Sequence, residues 1–555
     1  MSILAARSQP LVRTTRRAVR VSVGGMLLVA LVAATPSSPF PPVLPRGMEP
    51  TGPFRWLADL VGLSSLGPTA LMFVGLMATT TAAIGFILVL REAWNGRISM
   101  RTVLILSVLY VVAVLTLPLL FSRDVYSYGY YGRMVSTYHV NPYIETPRDF
   151  DLNSLYRLTY PGWRSTPSVY GPLFTWLSAG LTWTTKSIEG LITGFQLIAA
   201  AAFVGTIAII ARVVTRVRPE RAVFAVAVVG LNPIVIFHVV GGGHNDMLLA
   251  LFVSAAVALL FAKRELLAAV ALALGMSVKA SAVVPLILLI VAVVAAAEPE
   301  RRRAVALRFA AVSGGLWLAL AFPFLQLQNP TLGLLEASGH DSGKAPGQLV
   351  VRGLSAFGSL LLGDTGGDVG ATVGRLLLLA MSAIGVFMIA RRIWRDPATR
   401  EPTSLVAAWA WALLVVVLLS PVLGAWYLVW ILPLAWVLPR VGRRVLVLLS
   451  ASFIVTELVT ESSRIPLVFQ SVKLPFGHPL AILLAIWVIR EVLRHLRGRL
   501  PFDVDDGRPE FGDRFESGPR VEIPDVEPMP VPADPREPRI QIGLVRQPSL
   551  MRRRR

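Results

Sequence analysis

Apolar runs recur along this chain at or near the roughly 17 to 25 residues that a helix needs to cross a hydrocarbon layer. About fourteen are expected, near 21–35, 69–90, 102–121, 190–211, 222–240, 247–262, 266–279, 282–297, 304–323, 372–390, 404–420, 425–439, 445–460 and 477–494. Basic residues collect in alternate gaps between them. Arg13, Arg16, Arg17 and Arg20 precede the first run, Arg91, Arg97 and Arg101 follow the second, and Arg212, Arg216, Arg218 and Arg221 follow the fourth. Lys263 with Arg264, Arg301 to Arg303, Arg391, Arg392 and Arg395, and then Arg440, Arg443 and Arg444 continue the alternation. Such a pattern predicts a multi-pass protein of the inner (plasma) membrane with both termini in the cytoplasm. The first run also has the basic flank and Ala-rich end of a signal peptide, but an even number of spans favours keeping it. Two gaps, about 121–170 and 324–371, are long and hold patterned aromatics, Pro and Gly; they are expected to be functional external loops containing juxtamembrane helices.

Composition sharpens this picture. With 54% hydrophobic and 15% charged residues, the chain is no soluble domain but an all-α integral membrane protein. The expected organisation is a basic cytoplasmic N-terminus over 1–20, a multispanning domain over 21–494 and a disordered cytoplasmic tail over 495–555. That tail is rich in Pro, Asp, Glu and Arg and ends in Arg552 to Arg555, which suit either anionic lipid or solvent. The net charge of +20 comes from clusters between apolar runs, which anchor a membrane protein to lipid and give no nucleic-acid footprint. The absence of cysteine excludes disulfides, thiolate metal sites and cysteine nucleophiles.

Candidate chemistry begins where the third run ends, at Phe121-Ser122-Arg123-Asp124-Val125-Tyr126-Ser127-Tyr128, followed by Gly132, Arg133 and Asn141-Pro142-Tyr143. A helix over 124–138 along the membrane surface places Asp124, Tyr128, Tyr131 and Val135 on one face. A carboxylate in apolar surroundings gains basicity, and tyrosine faces pack on sugar rings. Equally, Asp124 is a good helix cap and tyrosines belong at membrane interfaces.

A second passage, Gly241-Gly242-Gly243-His244-Asn245-Asp246, combines a tight glycine turn with three polar side chains. These either bind sugar hydroxyls or a lipid phosphate, or, for Asn245 and Asp246, cap the next helix. Metal ligation there is only weakly signalled. His238, one turn before the glycines, and the Asn232-Pro233 break mark a kinked polar face. Lys279 lies in an apolar hairpin, where an ammonium costs a few kcal/mol unless paired. It either meets an anion, for which a lipid phosphate is the natural choice, or snorkels to the interface. Arg352, which follows a loop with Glu336, His340, Asp341 and Lys344, is a second phosphate candidate. Trp426, Tyr427 and Trp430 fit an aromatic belt or a sugar-stacking surface. The glycine run lacks the soluble strand and the lysine that a nucleotide site needs, which argues against a cytoplasmic nucleotide-sugar donor.

Arg123-Asp124-Val125-Tyr126-Ser127-Tyr128, Gly132-Arg133-Met134 and Asn141-Pro142-Tyr143 resemble the first external loop of the actinobacterial polyprenol-phosphate-mannose-dependent α-1,6-mannosyltransferases, membrane glycosyltransferases of the GT-C type. Tyr170-Gly171-Pro172-Leu173, Asn232-Pro233 with Gly241 to Asp246, Lys279 near Pro285, and Ser420-Pro421 with Trp426-Tyr427 agree in kind. The resemblance covers most of the membrane region and stops short of the first twenty residues and of the tail after about 495. It implies a GT-C-like helical bundle that moves mannose from polyprenol-phosphate mannose to a lipid-anchored α-1,6-mannan chain of lipomannan, with inversion, at the outer face. The base role passes to Asp124. Substrate binding passes to Arg123, Tyr126, Tyr128, Asn141, Tyr143, Tyr170, His244, Asn245, Asp246, Lys279, Arg352, Trp426 and Tyr427. No cofactor is implied; a divalent metal is possible but at most weakly signalled. Two rivals from other classes are a secondary transporter, which places its polar residues near the midplane, and a polysaccharide polymerase or ligase using a diphosphate-linked donor.

Overall fold

Proline and serine set many of the helix starts. The computed structural model describes residues 2–45, 47–150, 154–326 and 345–461. Pro68–Trp94, Pro172–Thr184, Pro219–Gly230 and Pro402–Leu419 each open on proline, whose missing N–H costs nothing in a first turn. Ser99 caps Met100–Leu115 by accepting the N–H of Thr102, and Ser187 caps Ile188–Val217 by accepting that of Gly190.

Among the described residues the regular structure is helical throughout. Five helices among the described residues are long and apolar enough to cross a membrane: Pro68–Trp94, Ile188–Val217, Pro299–Phe324, Pro346–Arg395 and Pro402–Leu419. A sixth span arises if Pro219–Gly230 and Ile234–Val240, bent by 44° at Asn232-Pro233, are one. Met100–Leu115, Asp246–Phe261, Glu265–Met276, Ala280–Ala296 and Ala425–Leu434 are apolar but shorter. The chain is thus an all-α multispanning membrane protein. Ser2–Ala33 and Pro68–Trp94 cross closely because Gly25 faces the backbone of Ala82 and Gly85 that of Ser22, the small-residue contact that membrane helices favour.

Several predicted runs take a different form. The 425–439 run is not a regular span but two tight 3₁₀ segments, Ala425–Trp430 and Leu432–Leu434, broken by prolines and packed inside the bundle. The end of the predicted 324–371 loop is helical. Pro346–Arg395 is two antiparallel arms turning at Leu362 and Gly363, where Gly363 takes φ +63°. Their close approach is allowed by Gly358 against Gly366 and by Gly370 against Leu354. Residues 327–344, with Glu336, His340, Asp341 and Lys344, lie outside the described residues, as do the predicted 477–494 span and the tail.

The loop helix is Asp124–Ser136. It is covered by protein on more than one side, since Tyr126, Tyr128, Tyr130 and Tyr131 are all buried. Gly132 lets it approach the Ser178 carbonyl of Pro172–Thr184. Gly171 in turn sits against the Ser277 carbonyl, joining this layer to the segment that carries Lys279.

Candidate active site

The backbone brings the two sequence passages together before any side chain does. After Met100–Leu115 ends, the Leu120 N–H donates to the Gly241 carbonyl at 3.3 Å and the Phe121 N–H to the Phe40 carbonyl at 2.9 Å. Gln196 Nε2 donates to the same Gly241 carbonyl at 2.8 Å. Phe121 holds φ +61°, a left-handed conformation that a bulky residue adopts only when its surroundings impose it. Asp124 therefore starts its helix beside the glycine turn. That turn follows a π-helical segment, Ile234–Val240, and closes through Gly243 at φ +63°.

Asp124 is not the helix cap. The N-cap position is Arg123, whose side chain caps nothing, while the Asp124 N–H donates to Ser122 Oγ at 3.1 Å. Its carboxylate turns to the glycine passage, with Oδ2 3.6 Å from His244 Nδ1. Tyr128 Oη stands 3.5 Å from that same nitrogen, and Asp246 Oδ2 stands 4.0 Å from it. Capping fails for Asn245 as well: it occupies the N-cap position of Asp246–Phe261 without a side-chain cap bond. Among the described residues, neither polar atom of its buried amide nor His244 Nε2 has a hydrogen-bond partner.

Lys279 has an anionic partner within the chain, which replaces the snorkelling reading. Its Nζ donates to Asp246 Oδ1 at 2.7 Å, and Trp430 Nε1 donates to the same oxygen at 2.7 Å. The ammonium also lies over the rings of Tyr427 and Trp430, 4.5 and 5.3 Å from their centroids. Trp426 stacks on His244 at 4.4 Å with an interplanar angle of 19°. These aromatics therefore pack on the polar cluster as well as on apolar neighbours, more than a membrane belt requires.

Burial orders the cluster. Asp246 and His244 have side-chain exposures of 0%, while Asp124 and Lys279 each keep 17%, so a carboxylate and an ammonium form its two accessible ends. Burial, then His238 and the Lys279 ammonium, holds the His244 pKa well below the usual imidazole range, leaving the ring neutral beside Asp124. Burial likewise pushes the Tyr128 hydroxyl well above its ordinary value. Among the described residues no group of three His, Asp or Glu side chains is arranged to hold a metal ion.

Other predicted site residues serve the scaffold. Tyr126 Oη donates to the Val43 carbonyl at 3.0 Å, and Tyr143 Oη donates to the Tyr170 carbonyl at 2.7 Å. Asn141 Nδ2 donates to the Phe324 carbonyl at 2.8 Å, and its Oδ1 accepts the Tyr143 N–H. Tyr128 and Tyr170 meet edge to face at 4.9 Å, with Phe174 beside them, so the expected aromatic ridge faces protein and offers no open platform for a sugar. Arg123 is half-buried next to Asp124, and Arg352 is exposed on the first arm of Pro346–Arg395. Sequence reading passed over Glu457, a fully buried carboxylate 3.4 Å from His238 Nε2. A lone acid in the apolar 445–460 run was the signal that could have found it.

Comparison with known proteins identifies the family of the chain. A family model described as "Alpha-(1->6)-mannopyranosyltransferase, N-terminal domain" matches residues 21–297, and the "MptB C-terminal domain" matches 352–497. An alpha-(1->6)-mannopyranosyltransferase A of Mycobacterium tuberculosis is 25% identical over 67% of this chain and 71% of its own length. The protein of that name from Corynebacterium glutamicum is 30% identical over 32% of this chain and 36% of its own. A Mycolicibacterium smegmatis relative is 29% identical over 33% and 34%. The chain thus spans about a third of the length of these last two relatives. No solved structure matches. On the two family models together, the chain belongs to the alpha-(1->6)-mannopyranosyltransferase family.

Proposed function

We propose that this protein transfers mannose from polyprenol-phosphate mannose to an α-1,6-mannan chain of the lipomannan type, at the outer face of the plasma membrane. The observation that carries the reading is the accessible Asp124 carboxylate at one end of a buried cluster whose other accessible end is the Lys279 ammonium. Asp124 takes the proton of an acceptor hydroxyl, and the oxygen attacks the anomeric carbon of a β-mannosyl phosphate. The bond from carbon to phosphate oxygen breaks, the electron pair leaves with the phosphate, and the new linkage is α. Negative charge grows on the leaving phosphate, where a cation already in place helps most. Lys279 is fixed before reaction by Asp246 and two aromatic rings, and Arg123 adds a second positive charge beside the base.

The family relationship supports mannose and the α-1,6 linkage. A lipid-linked donor suits a site in a membrane bundle whose glycine run, Gly241 to Gly243, leads into an apolar helix and lacks the lysine of a nucleotide-phosphate loop. The part of the mannan backbone nearest its lipid anchor is the favoured acceptor.

The test supplies membranes with labelled polyprenol-phosphate mannose, GDP-mannose or a diphosphate-linked oligosaccharide, together with a short α-1,6-mannoside. Extension from the first donor alone is expected. Extension only from the diphosphate-linked donor, or uptake of free sugar into vesicles without a new glycosidic bond, overturns the proposal.

A further inference from the structure

The Arg440–Glu461 helix presents two fully buried polar side chains, Ser450 and Glu457, seven residues apart and so two turns along one face. Both meet the bent segment that leads into the glycine turn. Asn232 Nδ2 donates to Ser450 Oγ at 3.1 Å, and Glu457 Oε2 lies 3.4 Å from His238 Nε2. An ionisable pair without solvent exposure inside a membrane bundle costs more than apolar side chains of the same volume. The Asn232–Ser450 bond and the surrounding apolar packing dock this helix, and two turns further on the Glu457 carboxylate faces the His238 ring.

That ring sits among the groups that place the base. Phe121, three residues before Asp124, stacks on His238 with centroids 4.9 Å apart and planes 9° apart. Trp426 lies 5.2 Å from His238 and His244 5.4 Å from it. Trp426 covers His244, and His244 Nδ1 is the nitrogen facing Asp124 Oδ2. His238 therefore touches the segment that delivers Asp124, the indole over His244, and His244 itself.

We infer that Glu457 is a positioning residue for transfer. By holding His238 it fixes the stack of Phe121, His238, Trp426 and His244, and through that stack the distance between His244 and Asp124. The inference rests on the reading of Asp124 as the base. A displacement of reacting groups by about 1 Å lowers turnover on the order of 100-fold, so loosening the stack acts on kcat more than on substrate affinity.

The test uses the full chain in vesicles, with Glu457→Gln and Glu457→Asp. Two quantities are read: transfer kinetics at matched protein, and the imidazole ¹⁵N resonances of histidine-labelled protein. The latter need no substrate, and His238→Gln and His244→Gln variants assign the two signals among six histidines. Glu457→Gln is expected to move both the His238 and His244 resonances and to lower kcat about 10-fold to 100-fold, with KM for donor and acceptor within about twofold of wild type. Glu457→Asp, which keeps the charge on a shorter arm, falls between the two. Movement of the His238 resonance alone, or wild-type kcat in Glu457→Gln, overturns the inference. If the Gln variant does not fold, Glu457→Asp decides: lowered kcat with a moved His244 resonance supports the role, and neither change refutes it. If wild type transfers no mannose while Glu457→Gln still moves His244, the coupling stands and the proposed activity fails.

Discussion

At the scale of single residues the site depends on pairs. Asp246 is fully buried and holds Lys279 and Trp430 on one oxygen. Removing one partner of such a pair leaves an uncompensated charge at a cost of about 3 kcal/mol, whereas removing both costs less. Lys279→Met and Asp246→Asn are each expected to lower the unfolding midpoint in detergent, and the double variant to be more stable than Asp246→Asn alone. Strict additivity of the two losses would mean that the pair is not coupled.

Residue types were legible here, but partners were not. The rule that a membrane-embedded ammonium needs an anion is general, and it pointed to a lipid phosphate because the sequence places Asp246 thirty-three positions away from Lys279. Asn141 and Tyr143 read as binding groups for the same reason, and the fold turns the Asn141 amide onto the Phe324 carbonyl and the Tyr143 hydroxyl onto the Tyr170 carbonyl.

At the scale of elements, glycine positions decide how closely layers approach. A Cβ at Gly132 would run into the Ser178 carbonyl, backbone that cannot swing aside. Gly132→Ala is expected to destabilise by about 1–3 kcal/mol and to lower transfer by displacing the Asp124–Ser136 helix. Thermal unfolding and transfer measured on the same preparation would show it, and unchanged values in both would contradict this packing account. The existence of this helix was readable from its period, yet its orientation was not. A stretch with aromatics on every side fits a membrane surface or a protein interior, and the choice depends on Pro172–Thr184 and Gly171, whose positions are tertiary. The Ala425–Trp430 segment escaped for a related reason. Its apolar run suggested a span, but Pro421 and Pro433 bracket it and the chain folds into tight 3₁₀ turns that carry Trp426 and Trp430 to the cluster.

At the scale of the whole molecule, apolar runs separated by arginine clusters made the all-α membrane fold legible from the outset, because lipid leaves a chain few ways to satisfy its backbone. The bend at Asn232-Pro233 and the two arms of Pro346–Arg395 were less so, since hydropathy registers length and not direction. The arginine pattern also makes a claim about sidedness. The chain has no cysteine, so single cysteines report it cleanly. Tyr160→Cys, in the exposed segment after the Asp124 helix, is expected to react with a membrane-impermeant thiol reagent on intact cells. Arg301→Cys, at an exposed basic turn, is expected to react only after lysis. The reverse pattern would place the cluster on the cytoplasmic side.

The most direct test of the account is the effect of Asp124→Asn on mannosyl transfer, in membranes matched for expression and supplied with labelled polyprenol-phosphate mannose and a short α-1,6-mannoside. The substitution keeps the size of the side chain and removes the base. A fall in rate of about 100-fold to 10,000-fold with the protein intact is the predicted result, and transfer at the wild-type rate would contradict it.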